Sequence, residues 1–123
     1  MYQCEDKSVK DRVLKYIDIL KKENYGEWKT SPKDETQPYF SYTSDVLNFI
    51  KDFYRSKYVD YDYMKTYRQI RDRDISTLNK KEVCALLTAF VRGDRFSEGF
   101  LYEQLKNGKV MKALLRLKEL NEI

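Results

Sequence analysis

The sequence predicts an all-α fold, a single domain over residues 1–123 with about six helices and one irregular loop at residues 27–43. Three observations carry that expectation. Apolar residues recur at intervals of three and four through most of the chain. Capping residues and glycines punctuate those stretches at helix-length spacing. Both prolines, Pro32 and Pro38, fall in the one long stretch without such a period.

Taken in order, Ser8 can cap a first helix, with Asp11 in its first turn. Val9, Val13, Tyr16, Ile17 and Leu20 mark the apolar face up to Gly26. Residues 27–43, "EWKTSPKDETQPYFSYT", read as a long connection in which Tyr39–Tyr42 form a short extended piece. Trp28 is expected to pin this loop to the body. A second helix should start after Thr43 or Ser44 and bury Val46, Leu47, Phe49, Ile50, Phe53 and Tyr54. Asp60 is a candidate cap for a third, with Tyr63, Tyr67 and Ile70 at helical spacing. Asn79 and Glu82 form a capping box for the fourth, whose face is Val83, Leu86, Leu87, Phe90 and Val91. Gly93 should end it in the left-handed region. The fifth helix runs from Ser97 to Lys106, with Gly108 closing it. The last covers residues 109–122 and buries Val110, Ala113, Leu114, Leu117 and Leu120.

Composition excludes several kinds of chemistry. The chain has no histidine, which removes Ser-His-Asp and Cys-His nucleophilic catalysis and the commonest general base. Two cysteines, Cys4 and Cys84, do not make a four-ligand zinc site, so no metal and no cofactor is expected. Both read as free thiols, with Cys84 on an apolar helix face. No apolar run approaches the roughly 20 residues of a membrane span. The N-terminal "MYQCEDKSVKDR" lacks the apolar centre of a signal peptide, so a cytoplasmic protein is expected. The formal charge is +4, and the surplus lies mainly after residue 75, where nine cations face six carboxylates. That is too mild a bias to indicate nucleic acid by itself.

The densest polar stretch is "VRGDRFSEGF", Val91 to Phe100. Helix rules account for much of it. Gly93 stops a helix, Ser97 caps the next, Glu98 complements its dipole, and Phe96 with Leu101 make a hydrophobic staple. Arg92, Asp94 and Arg95 are left over. A structural corner, in which these charges pair with one another or with Glu98 and with open carbonyls, is the first reading. The functional alternative makes Arg92, Asp94, Arg95 and Glu98 an interaction or anion-binding site at the free amides of the fifth helix. Asp94 and Glu98 also form a carboxylate pair, four positions apart, that suits cap and dipole duty better than catalysis.

Lys106, Lys109, Lys112 and Arg116 recur at helical spacing and define a basic face on the C-terminal helical region. A solvated face comes first and phosphate contacts second. Arg68, Arg71 and Arg73 would enlarge this patch only if the helices lie side by side. The 11 tyrosines concentrate at Tyr54, Tyr58, Tyr61, Tyr63 and Tyr67, where core and rim duty stands slightly ahead of recognition.

Residues 86–117 resemble the C-terminal signature of a domain-of-unknown-function family of small bacterial and phage proteins. The matching positions are Arg92, Gly93, Asp94, Arg95, Phe96, Gly99, Gly108 and Leu115-Arg116-Leu117. The resemblance implies an all-α fold and a recurring arginine corner, and it adds no reaction. The reading is therefore an uncharacterised, non-enzymatic protein–protein interaction module, with a phage-encoded origin among the options. The alternative is a nucleic-acid-binding protein that uses the basic face. The sequence leaves the partner, the source and the oligomeric state open.

Overall fold

The computed structural model describes residues 12–31 and 34–122, so the Ser8 cap, Asp11 and Cys4 lie outside the described residues. The chain is predominantly helical and carries one small antiparallel sheet, so it is not strictly all-α. Helix α1 (Tyr16–Ile19) tightens into a 3₁₀ turn, Leu20–Lys22, and stops at Glu23, which is left-handed with φ 56°. The termination thus comes three residues before the expected Gly26. Val13, Tyr16, Ile17 and Leu20 are buried as the periodicity requires.

The largest departure is the stretch expected to be irregular. Strands β1 (Gly26–Ser31) and β2 (Asp34–Tyr42) pair as a hairpin, with Trp28 opposite Phe40 and Lys29 opposite Tyr39. Side chains alternate across a strand, so Trp28, Phe40 and Tyr42 share one face and Tyr39 and Ser41 the other. The expected extended piece, Tyr39–Tyr42, is the end of β2. Pro38 is tolerated because both strands of a two-stranded sheet are edges.

The remaining helices follow closely. Helix α2 (Ser44–Tyr54) begins after Thr43 and buries Val46, Phe49 and Phe53, while Leu47 at the rim is exposed. Helix α3 (Tyr63–Ile70) starts after Asp62. Asp60 does not cap it; its carboxylate accepts from the Asp62 amide in a local turn. Helix α4 (Lys80–Arg92) has the full capping box: Asn79 Oδ1 accepts from the Glu82 amide, and Glu82 Oε1 accepts from the Asn79 amide.

Helix α4 is the axis of the core. Every residue from Ala85 to Val91 is buried, and α3, α5 and α6 all pack against it. Helices α5 (Phe100–Lys106) and α6 (Lys109–Asn121) are separated by the left-handed Gly108, as expected. Val110, Ala113, Leu114 and Leu117 close the core from α6, and Leu120 packs at its edge. Tyr58 is buried with its hydroxyl accepting from Asn121 Nδ2 at 3.0 Å, and Tyr63 is buried too, so these tyrosines serve the core. Among the described residues, no helix is long and apolar enough to cross a membrane.

Candidate functional site

Between α4 and α5 the chain turns through a 3₁₀ segment, Gly93–Arg95, and a second turn ending at Gly99. Gly93 is not left-handed: its φ is −61°, an ordinary helical value. Glycine is needed there for space. A Cβ at residue 93 would lie 2.0 Å from Cδ2 of Phe100, so the Phe100 ring occupies the room a side chain would take. The left-handed residue is Gly99, φ 81°, which precedes α5 in place of Ser97. The missing Cβ of Gly99 also admits the edge of Trp28.

This shift in the helix start undoes the local capping scheme. Ser97 does not cap α5, and Phe96 makes no staple: it is 74% exposed while Leu101 is buried. Asp94 does the capping. Its Oδ1 accepts from the Leu101 amide at 2.8 Å, and its Oδ2 accepts from the Tyr42 hydroxyl at 2.6 Å. The same hydroxyl accepts from the Tyr102 amide at 3.1 Å. The first-turn amides proposed to hold an outside anion are therefore engaged, because the protein supplies its own carboxylate.

Glu98 completes the arrangement. Its Oε2 accepts from the Phe40 amide at 3.0 Å, so both carboxylates of the corner bind the hairpin and, among the described residues, neither pairs with an arginine. Aromatic contacts fill the gap between them. The Phe40 ring stacks on Tyr102 with centroids 4.2 Å apart, and meets Tyr42 at 4.6 Å and Trp28 edge-on at 5.4 Å. Burial raises the pKa of Tyr42 well above the usual phenol value, helped by its bond to Asp94, so it remains a neutral donor.

The four corner residues thus diverge. Arg92 turns the other way, with its guanidinium 5.8 Å from the centre of the Tyr63 ring, and Tyr63 and Tyr54 raise its pKa further. Its Nε is buried without a hydrogen-bond partner among the described residues. Arg95 is exposed, and no ion pair or hydrogen bond among the described residues holds it. Beside it in sequence stands the exposed Phe96.

The basic face also divides. Lys106 sits with Nζ 5.8 Å from the centre of the Tyr102 ring. Lys109 and Lys112 are exposed. Arg116 is half-buried and belongs to the scaffold: Nε donates to the Leu78 carbonyl at 2.9 Å and Nη1 to Glu119 at 3.3 Å. Arg71 and Arg73, but not Arg68, line one cleft of about 680 Å³ together with Lys109. Cys84 is partly buried, and burial pushes its thiol up to about 11.

Tyr42, Phe100, Tyr102 and Gln104 are the residues that sequence reasoning did not bring to either place. Phe100 closes the motif, but no spacing rule singled it out. Among the described residues no cluster of His, Cys, Asp or Glu is placed to hold a metal ion.

The geometry defines a small, mostly helical domain in which a glycine corner clamps a two-stranded hairpin. The chain belongs to a family of unknown function (DUF6508), whose family model matches residues 6–122. No curated protein and no solved structure matches it.

Proposed function

We propose that the protein is a non-enzymatic, cytosolic binding module of bacterial or phage origin that engages another protein through the apex of the corner. The observation that supports this is the state of Arg95 and Phe96. Asp94 and Glu98 have internal partners, whereas Arg95 has none among the described residues and Phe96 is 74% exposed. Arginine and large aromatics are the residues that dominate binding energy at interfaces. Here they stand on a short turn braced on both sides, which lowers the entropy lost on binding. Trp28, half-exposed and packed on Gly99, extends the apolar surface next to the turn.

The test is a photocrosslinking phenylalanine analogue at position 96, expressed in cells of the source organism. The expected result is a discrete adduct that Arg95→Glu abolishes. No adduct, or the same adducts from the equally exposed position 61, contradicts the reading.

A second reading, nucleic-acid binding by Lys106, Lys109 and Lys112, draws support from Arg71 and Arg73, which line one cleft with Lys109. Arg116 is withdrawn from it by Leu78 and Glu119, which shortens the stripe. Titration with single- and double-stranded nucleic acid at two salt concentrations tests it. A complex that weakens steeply with salt supports it, and no complex at low salt excludes it.

A further inference from the structure

The 680 Å³ cleft lies within the size range of small-molecule sites, and it is separate from the hairpin clamp. Its inner surface is apolar and largely buried: Ile70, Leu86 and Phe90 at the bottom, with Phe100 and Tyr67 partly exposed. Its rim carries donors from three places in the chain. Arg71 and Arg73 follow α3, Gln104 comes from α5, and Lys109 opens α6.

Internal partners take up only part of this donor capacity. Lys109 Nζ has no ion pair or hydrogen bond among the described residues. Gln104 accepts from Asn107 through Oε1, at a long 3.4 Å, which leaves its Nε2 group free to donate. Arg71 faces its neighbour Asp72 at 3.8 Å, an exposed contact worth little. Arg73 donates to Glu82 through Nη1 at 2.9 Å and keeps its other guanidinium donors.

Two carboxylates also line the rim and limit the charge a ligand can bring. Asp72 is fully at the surface, and Asp74 is occupied by the Ser76 amide and hydroxyl at 3.0 and 2.9 Å. With Arg73 paired to Glu82, Arg71 and Lys109 are the cations left to meet a ligand, and with two carboxylates beside them they suit a single negative charge better than a phosphate dianion. A planar carboxylate matches the paired donors of a guanidinium.

The wall is shaped in advance. Glu82 fixes Arg73 while also completing the α4 capping box, and the Asp74–Ser76 turn holds the segment that carries both arginines. Phe100 stands where it does because Gly93 has no side chain, so the glycine corner shapes this cleft from behind.

We infer that the cleft binds a small aromatic carboxylate, its ring against Phe100, Phe90 and Tyr67 and its charge held by Arg71, Gln104 and Lys109. The site is independent of the protein-binding apex on the corner. The experiment is a ¹H–¹⁵N NMR titration of the full chain with 2-naphthoate and indole-3-acetate. The uncharged isostere 2-naphthalenemethanol and adenosine 5′-monophosphate serve as comparison probes. Both carboxylates are expected to give saturable shifts at residues 71–75, Gln104 and Lys109. Arg71→Ala and Lys109→Ala, both at exposed positions, should each weaken them about five- to tenfold, whereas Lys65→Ala outside the cleft should not.

Retention of wild-type dispersion by the variants separates lost binding from lost folding. The inference fails if neither carboxylate saturates at millimolar concentration. It fails equally if the shifts fall outside the cleft, if the alcohol binds as well, or if the nucleotide binds more tightly than the carboxylates.

Discussion

Replacing Gly93 with alanine separates two reasons for a glycine at a helix end. With φ −61° the backbone accepts alanine, and alanine is favoured over glycine in a helix by about 1 kcal/mol. Against that, the new Cβ would stand 2.0 Å from Cδ2 and 2.7 Å from Cγ and Cε2 of Phe100. All three neighbours belong to one ring, which must shift from its place in the cleft wall. Overpacking of this kind costs about 1–3 kcal/mol, and the lost ring contacts keep the net effect near that range. For a domain of this size that corresponds to a fall in Tm of roughly 3–10 °C by circular dichroism. The decisive assay repeats the substitution in a Phe100→Ala background. With the ring gone, Gly93→Ala should become neutral, or stabilising by up to about 1 kcal/mol. Gly108→Ala provides the contrast. Its φ is 84° with nothing within 4 Å, so it should cost about 1–2 kcal/mol whatever stands at position 100. Equal losses for Gly93→Ala with and without the Phe100 ring would refute the steric account.

The clamp predicts a coupled loss: Asp94→Ala should cost about 2–4 kcal/mol in urea denaturation, since Asp94 accepts two hydrogen bonds, including one from Tyr42. A double-mutant cycle with Tyr42→Phe should show about 1 kcal/mol of coupling, and additive losses would disprove a direct bond. Tyr16 and Tyr42 both have pKa values raised above the unfolded 10.0, chiefly by burial, and each donates to a carboxylate. A raised folded pKa means that their stabilising effect is complete below pH 10 and falls above it, as the unfolded tyrosines begin to ionise. The decline above pH 10 should be shallower in Tyr42→Phe than in the wild type. Cys84, with its thiol at about 11 against a usual 9.0, carries about a hundredfold less thiolate near pH 8. In a Cys4→Ser background, alkylation of the folded protein should lag the unfolded protein by about that factor, and equal rates would contradict a buried thiol.

What the sequence made legible was local. The capping box at Asn79 and Glu82, the start of α2 after Thr43, and the apolar face of α6 depend on residues within a turn or two of each other, and all three are observed. The hairpin depends on Trp28 meeting Phe40, and on Gly99 and Tyr102 being in place to receive them. No tight-turn dipeptide marks it, and the two prolines made it look irregular, although the alternation of Phe40 and Tyr42 carried a period-two signal.

The corner misled for a related reason. Ser97, Phe96 and Leu101 fit a cap and staple by spacing, but Asp94 and Tyr42 reach the first-turn amides from outside that window and the helix starts later. Gly93 stood where a left-handed residue is the default, while its actual constraint is a ring seven residues away. Whether Arg71 and Arg73 share a surface with Lys109 depends on packing, which spacing alone does not fix.

Most of "VRGDRFSEGF" therefore serves the fold: Gly93 admits a ring, Asp94 caps and clamps, and Glu98 holds the strand. Hydrogen exchange on an Asp94→Ala/Glu98→Ala variant tests that assignment most directly. Amides of β1 and β2 should exchange at least about tenfold faster, while those in the middle of α4 and α6 keep their relative protection. Unchanged protection in the hairpin would contradict the clamp, as would a uniform loss across hairpin and core.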